Sequence, residues 1–216
     1  MRNIWYSIKN LRWAALLPLV VLFLVFPLLV WSEVKLNSYS QENLDQIGDF
    51  AQMLLPFSAI FGPVFIFRQY VEGGAREVIF FYRKGHLLEL CTYGGLYLAL
   101  AGILFLVLSG FYQDVWWEYL RIAVQSVFFL ALSYASLFVM RSTALGLMAS
   151  LMTESFFVLL KDELPSSHSL FSFDCLAKGD VFFAAKGEVL DKYLLLLLLS
   201  ALLLAIGYWR AQKWRG

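Results

Sequence analysis

The residues able to do chemistry are few, and none stands in a catalytic arrangement. The chain has two histidines, His86 and His168, and two cysteines, Cys91 and Cys175. None belongs to an H-E-x-x-H zinc site, and the chain has neither a G-x-S-x-G nucleophile elbow nor a G-x-x-x-x-G-K-[ST] phosphate loop. The expectation is a protein that is not an enzyme and holds no metal or cofactor of its own. Any energy input then comes from a gradient or from another polypeptide. What remains are ionisable groups in costly places. Glu154 interrupts the apolar run 142–160, on one helical face with Thr143, Gly146 and Ser150, and Arg121 opens a neighbouring run. An ionised carboxylate facing lipid is expensive, so Glu154 is expected to face protein or water. Three uses stay open: a structural ion pair with Arg121, a lining of a substrate path or gate together with Ser150, or neither.

The densest polar stretch runs from Arg68 to His86. Ala75 to Lys84 has helical character, with Gly85 as its stop. Arg76, Glu77 and Arg83 would be exposed while Val78, Phe81 and Tyr82 make apolar contact. That is an amphipathic helix at a membrane face, a shape that docks into a partner's groove. The plainer alternative is an interfacial helix without a partner.

Composition says which elements must position these residues. Of 216 residues 61% are hydrophobic and 15% charged, against about 25% charged in soluble domains. A soluble fold of this size has too little interior for so many apolar side chains. A soluble enzyme, a secreted disulfide scaffold and a disordered chain are excluded, and a net charge of +1 gives no reason to expect nucleic acid. Stretches nearly free of charge place six spans at about 13–32, 50–67, 90–112, 119–140, 142–160 and 193–209. Each is long enough to cross about 30 Å of hydrocarbon. The first is too long for a signal peptide and lacks a small-residue cleavage site, so it is expected to be retained.

An even number of spans puts both termini on one side, together with 11 basic and 3 acidic residues; the other side has 5 lysines and 12 carboxylates. The positive-inside rule makes the first side cytoplasmic. Trp13, Trp31, Trp116, Trp117 and Trp209 fall at span ends, where indole rings prefer to sit. The expected fold is an all-α integral membrane protein forming a single transmembrane domain over 1–216. It has six transmembrane helices, and both termini are cytoplasmic.

Between the spans, the sequence predicts an interfacial helix over 1–12, a cytoplasmic loop over 68–89 and an external segment over 161–192 with re-entrant or interfacial helices. The turn at Arg141 is tight enough to make spans four and five an antiparallel hairpin. Gly95, Ala99 and Gly102 have the small-residue spacing that lets helices approach closely. Pro56 and Pro63, with Gly62, are expected to kink span two.

This layout resembles the permease subunits of type-2 ABC transporters. Glu72, Gly74, Glu77 and the Arg83-Lys84 pair look like the family's loop after span two. The resemblance implies that 68–89 carries a coupling helix seated on a separate ABC ATP-binding subunit, through Glu72, Gly74, Arg76, Glu77, Phe81 and Arg83. ATP would then be bound by that partner, and a second permease chain, identical or different, would complete the path. The implied function is plasma-membrane export of a hydrophobic or amphipathic cargo such as a drug, lipid or antimicrobial peptide. The alternative is a non-ABC six-span membrane protein of immunity or sensing that binds a peptide or lipid without ATP. In either case membrane lipid is a partner. The Gly73-Gly74 doublet and the bulky Phe80-Phe81-Tyr82 run depart from the family's small residues and proline.

Overall fold

The computed structural model describes residues 16–37, 41–72, 86–111, 115–159 and 186–213, and the regular structure among them is helical. Helix α1 joins Leu16–Val20, a π-helical turn Val21–Val25 and Phe26–Asn37. In the π turn the Phe26 N–H reaches back to the Val21 carbonyl. The cause is the next residue: Pro27 has no N–H, and its ring would strike the carbonyl of Phe23 in a regular α-turn. Then follow α2 Gln41–Glu72, α3 His86–Leu108, α4 Val115–Met140, α5 Thr143–Leu159 and α6 Lys186–Lys213.

Among the described residues five stretches are long and apolar enough to cross a membrane: Leu17–Lys35, Gln46–Arg68, His86–Leu108, Glu118–Met140 and Tyr193–Lys213. The chain is thus a multi-pass membrane protein whose regular structure among the described residues is all helical. The remaining apolar helix, Thr143–Leu159, is shorter at 17 residues. Helices also continue beyond the charge-free windows. α2 extends past both ends of 50–67, α3 starts at His86 rather than residue 90, and Lys186–Lys192, read as part of the external segment, belong to α6. Intrahelical hydrogen bonds satisfy the backbone in lipid and water alike, so a charged side chain marks the edge of the hydrocarbon but not the end of the helix. The expected interfacial helix over 1–12 and residues 160–185 of the external segment lie outside the described residues.

α4 is the axis of the bundle and packs against α2, α3, α5 and α6. Gly48 of α2 lies beside Glu118, and Phe67 stacks edge-on to Tyr134 at 5.4 Å, so α2 runs parallel to α4. α3 runs the other way, since Tyr97 reaches Leu55 and Tyr70 reaches Glu89. Arg141 turns α4 into α5 with a positive φ of 56°, a left-handed conformation that lets α5 start at Thr143. The expected tight hairpin is therefore present.

Hydroxyl-to-carbonyl bonds tie α2, α3, α4 and α5 together. Tyr97 donates to Leu55 O at 2.7 Å and lies 2.6 Å from Ser58 Oγ. Ser133 donates to Ile60 O at 3.0 Å, and Tyr119 donates to Leu98 O at 3.0 Å. Ser136 Oγ lies 3.1 Å from both Gly146 O and Ser150 Oγ. Such bonds average only about 0.6 kcal/mol each in a membrane, so close packing must supply the rest.

Glycines provide that closeness. A Cβ on Gly146 would sit 3.0 Å from the Leu137 backbone, and one on Gly207 would sit 2.6 Å from the ring of Tyr134. Of the three small residues in α3, Gly102 abuts the Tyr119 hydroxyl, whereas Gly95 has open space before it and Ala99 is exposed. The leucine run of α6 faces mostly outward, with Leu196 alone fully buried. Trp31, Trp116 and Trp209 are exposed near helix ends, and Lys35, Arg210 and Lys213 lie over two of these rings.

The two exposed and buried glycines give opposite expectations. Gly207→Ala forces a methyl into the immobile Tyr134 ring and should destabilise the bundle by about 1–3 kcal/mol, the usual cost of overpacking. Gly95→Ala meets nothing and should cause no loss. Thermal unfolding of the detergent-solubilised variants checks both.

Candidate functional site

Three polar groupings sit in the bundle, at three depths. At one end, Arg121 and Glu118 face inward from α4, 4% and 7% exposed, and form an ion pair across i,i+3. Gln52 of α2 turns its amide oxygen to the same guanidinium. Gly48 completes the fit, since a Cβ there would lie 3.0 Å from Glu118 Oε2. α2 supplies a glycine and an amide one turn apart, and α4 supplies the charges one turn apart. Both charges are therefore met without leaving the bundle. Such a buried pair fixes register more than it adds stability, but losing one partner strands the other.

At the opposite end, Glu72 closes α2 and meets the start of α5. Its Oε1 accepts the Thr143 N–H at 2.8 Å and the Thr143 hydroxyl. Ser142 Oγ also accepts from the Leu145 N–H at 3.4 Å. The first turn of a helix has four N–H groups without intrahelical partners and a partial positive charge. Glu72 thus acts as an N-cap supplied by another helix. These bonds from Thr143, first its hydroxyl and then its N–H, hold the Glu72 carboxyl below its ordinary value of 4.5, with a smaller contribution from Arg68 3.7 Å away. Nearby, His86 is buried among Tyr208, Phe138 and Tyr134 at ring distances of 5.4, 6.1 and 6.3 Å.

Between these ends lies Glu154. Thr143, Gly146, Ser150 and Glu154 are the buried residues of α5, so the expected stripe faces the bundle. Ser150 is anchored by Gly146 O at 2.9 Å and Ser136 Oγ at 3.1 Å. Glu154 is 4% exposed, and its Oε1 has no hydrogen-bond partner among the described residues.

The structure does not bring Arg121 and Glu154 together. Gly146 packs on Leu137. From that level Glu154 lies 8 residues along α5 and Arg121 lies 16 residues along α4. At 1.5 Å per residue the two differ in depth by roughly 12 Å. Arg121 takes the carboxylate one turn away instead. Of the coupling residues, Glu72 alone is described, and its contact is with its own chain. Gly74, Arg76, Glu77, Phe81 and Arg83 lie outside the described residues. The sequence signal for the missed partners was present but weak: Glu118 and Arg121 have the i,i+3 spacing of a helical ion pair. Nothing local marked Gln52 or Thr143, which come together through tertiary contact.

Among the described residues no group of three His, Cys, Asp or Glu could hold a metal ion. Neither a protein-family model, nor a curated protein, nor a solved structure matches this chain.

Two expectations follow. Arg121→Ala removes the buried positive charge that Glu118 and Gln52 face and should cost roughly 3–5 kcal/mol, with Arg121→Met/Glu118→Leu recovering much of it; unfolding curves of the three proteins decide. For Glu72, a lowered folded-state value means its stabilisation is full above the unfolded value and is lost as pH falls through the folded one. Wild type should therefore exceed Glu72→Gln in stability at neutral pH, and the gap should close in acid well below pH 4.5.

Proposed function

We propose that this chain is the membrane-spanning permease subunit of an ATP-driven exporter in the plasma membrane, with six crossings and both termini cytoplasmic. The observation that carries this reading is the polar end of the bundle. There α2 runs past its apolar window through Arg68 to Glu72, beside the α4–α5 turn, the start of α3 and the basic end of α6. Segment 73–85 must leave and return at that end, which suits a coupling helix bearing Gly74, Arg76, Glu77, Phe81 and Arg83. α5 would be the sixth crossing; 17 residues span about 25 Å, within reach of a thinned bilayer.

In this scheme two ATPase subunits dock beneath two permease chains, and ATP closes them. The closure pushes on 73–85, and Glu72 passes the displacement to Thr143 and so to α5. ATP must favour one arrangement of the helices over the other for this to work. The exposed apolar faces of α1, α3 and α6 meet lipid or the second permease chain. The cargo class is hydrophobic or amphipathic: a drug, a lipid or an antimicrobial peptide.

Solubilising the chain from its native host tests the reading. A soluble ATPase should co-purify in fixed stoichiometry, and Glu77→Arg should uncouple ATP hydrolysis from cargo movement while the helices stay folded. If no ATPase accompanies the chain and it still binds peptide or lipid, the immunity or sensing alternative replaces this one.

A further inference from the structure

Glu154 has a property that the exporter scheme does not use. It is an acid buried in the middle of the bundle, 4% exposed, with Oε1 unmet by any described donor. The neighbouring Ser150 hydroxyl is already engaged with Gly146 and Ser136. α2 from Met53 to Phe67 and α4 from Ile122 to Met140 contain no Lys, Arg, His, Asp or Glu; Tyr134 is the titratable group on that stretch of α4. On α3, Tyr97 lies within electrostatic reach of Glu154, but its proton is directed to Leu55 O. Tyr93 stands one turn from Tyr97, and α6 offers Tyr193 and Tyr208. Among the described residues of α2 and α4, the charges on either side are the Glu118–Arg121 pair, roughly 12 Å away toward one end, and the Arg68–Glu72 pair, roughly 16 Å toward the other, measured along the helices.

Among the described residues an ionised Glu154 has no counter-ion and its Oε1 has no donor, a combination that costs several kcal/mol. Something positive must offset it. A metal ion needs more ligands than one acid, and no set of three is present among the described residues. An organic cation needs space that a side chain 4% exposed does not offer. A proton needs neither.

We infer that Glu154 is an intramembrane proton-exchange site. The step is the addition of one proton to one carboxylate oxygen, with no electron transferred and no other bond broken. With the proton in place, the seam of α5 against α4 keeps the packing described above. When the proton leaves, the carboxylate is driven toward water or toward Arg121, and either move requires α5 to shift along α4. The site therefore ties the position of α5 to proton availability, whichever motor acts on the polar end.

The test uses the isolated chain in lipid nanodiscs, without any ATPase, so its outcome is independent of the exporter reading. Dicyclohexylcarbodiimide adds to protonated carboxyls in apolar surroundings and leaves a stable N-acylurea. Peptide mapping should find the adduct at Glu154, severalfold less of it as pH is raised, and none at that position in Glu154→Gln. Glu118, held as an ion by Arg121, serves as an internal control that stays unmodified. Absence of the adduct at Glu154, or a yield indifferent to pH, overturns the inference. Protection by tetraphenylphosphonium at every pH also overturns it, by showing an organic cation as the occupant. Should Glu154→Gln fail to fold, the pH series on wild type decides alone.

Discussion

Hydrocarbon offers no hydrogen bonds, so every polar atom in the bundle has to be met by the chain itself. The arrangement around α4 follows from that constraint. α4 carries Glu118, Arg121, Gln125, Ser126, Ser133 and Ser136, all buried, which would be intolerable on a lipid-facing helix. It is surrounded by α2, α3, α5 and α6, whose outward faces are leucine, phenylalanine and methionine. Polarity alone thus decides which helix goes to the centre, since all of them are apolar enough to enter the membrane. The Ser133 and Ser136 hydroxyls of α4 then find carbonyls of α2 and α5, and glycines at 146 and 207 bring α5 and α6 close enough for dispersion to act.

The same constraint produces different solutions at the two ends. Near residue 48 the charges are enclosed, and Glu118, Arg121 and Gln52 satisfy one another in a small volume. That end behaves as a fixed point. Near residue 72 the carboxylate is partly exposed and spans two helices that are far apart in sequence. A bond at the rim, between a helix end and a helix start, can be remade without opening the core. α5 is joined to the rest by small residues and hydroxyls on its buried stripe and by Leu147, Leu151 and Phe157 beside it.

Much of this was legible in the residues. The apolar windows located the five long helices because twenty or so uncharged residues have few other uses. The stripe of Thr143, Gly146, Ser150 and Glu154 gave the facing of α5. Helix ends were less legible, because a charge stops burial without stopping a helix; His86 and Lys186 both open helices that the windows placed later. Glu154 and Arg121 illustrate the harder limit. Their types invite a pair, but pairing depends on the offset between α4 and α5. That offset is set by the left-handed turn at Arg141 and the contact of Gly146 with Leu137. No periodicity in either helix encodes it. The contact between Glu72 and Thr143, 71 residues apart, is of the same kind.

Arg121 and Glu154 are both single charged-type residues placed among apolar neighbours, and the bundle treats them oppositely. Around Arg121 it spends a glutamate, a glutamine and a glycine, all arranged by two helices. Around Glu154 no comparable set exists among the described residues. A leucine at 154 would remove the difficulty altogether and fit the rest of α5. Sequences that specify a fold usually agree with it at every level, and the exceptions cluster where activity needs them. Tyr93, Ser126 and Tyr134 also bury a hydroxyl without a hydrogen-bond partner among the described residues, but each of these is neutral, whereas a carboxylate is charged unless it takes up a proton. The burial of Glu154 is readily explained if the group is meant to exist in two states, one of which the described arrangement holds and the other of which it resists.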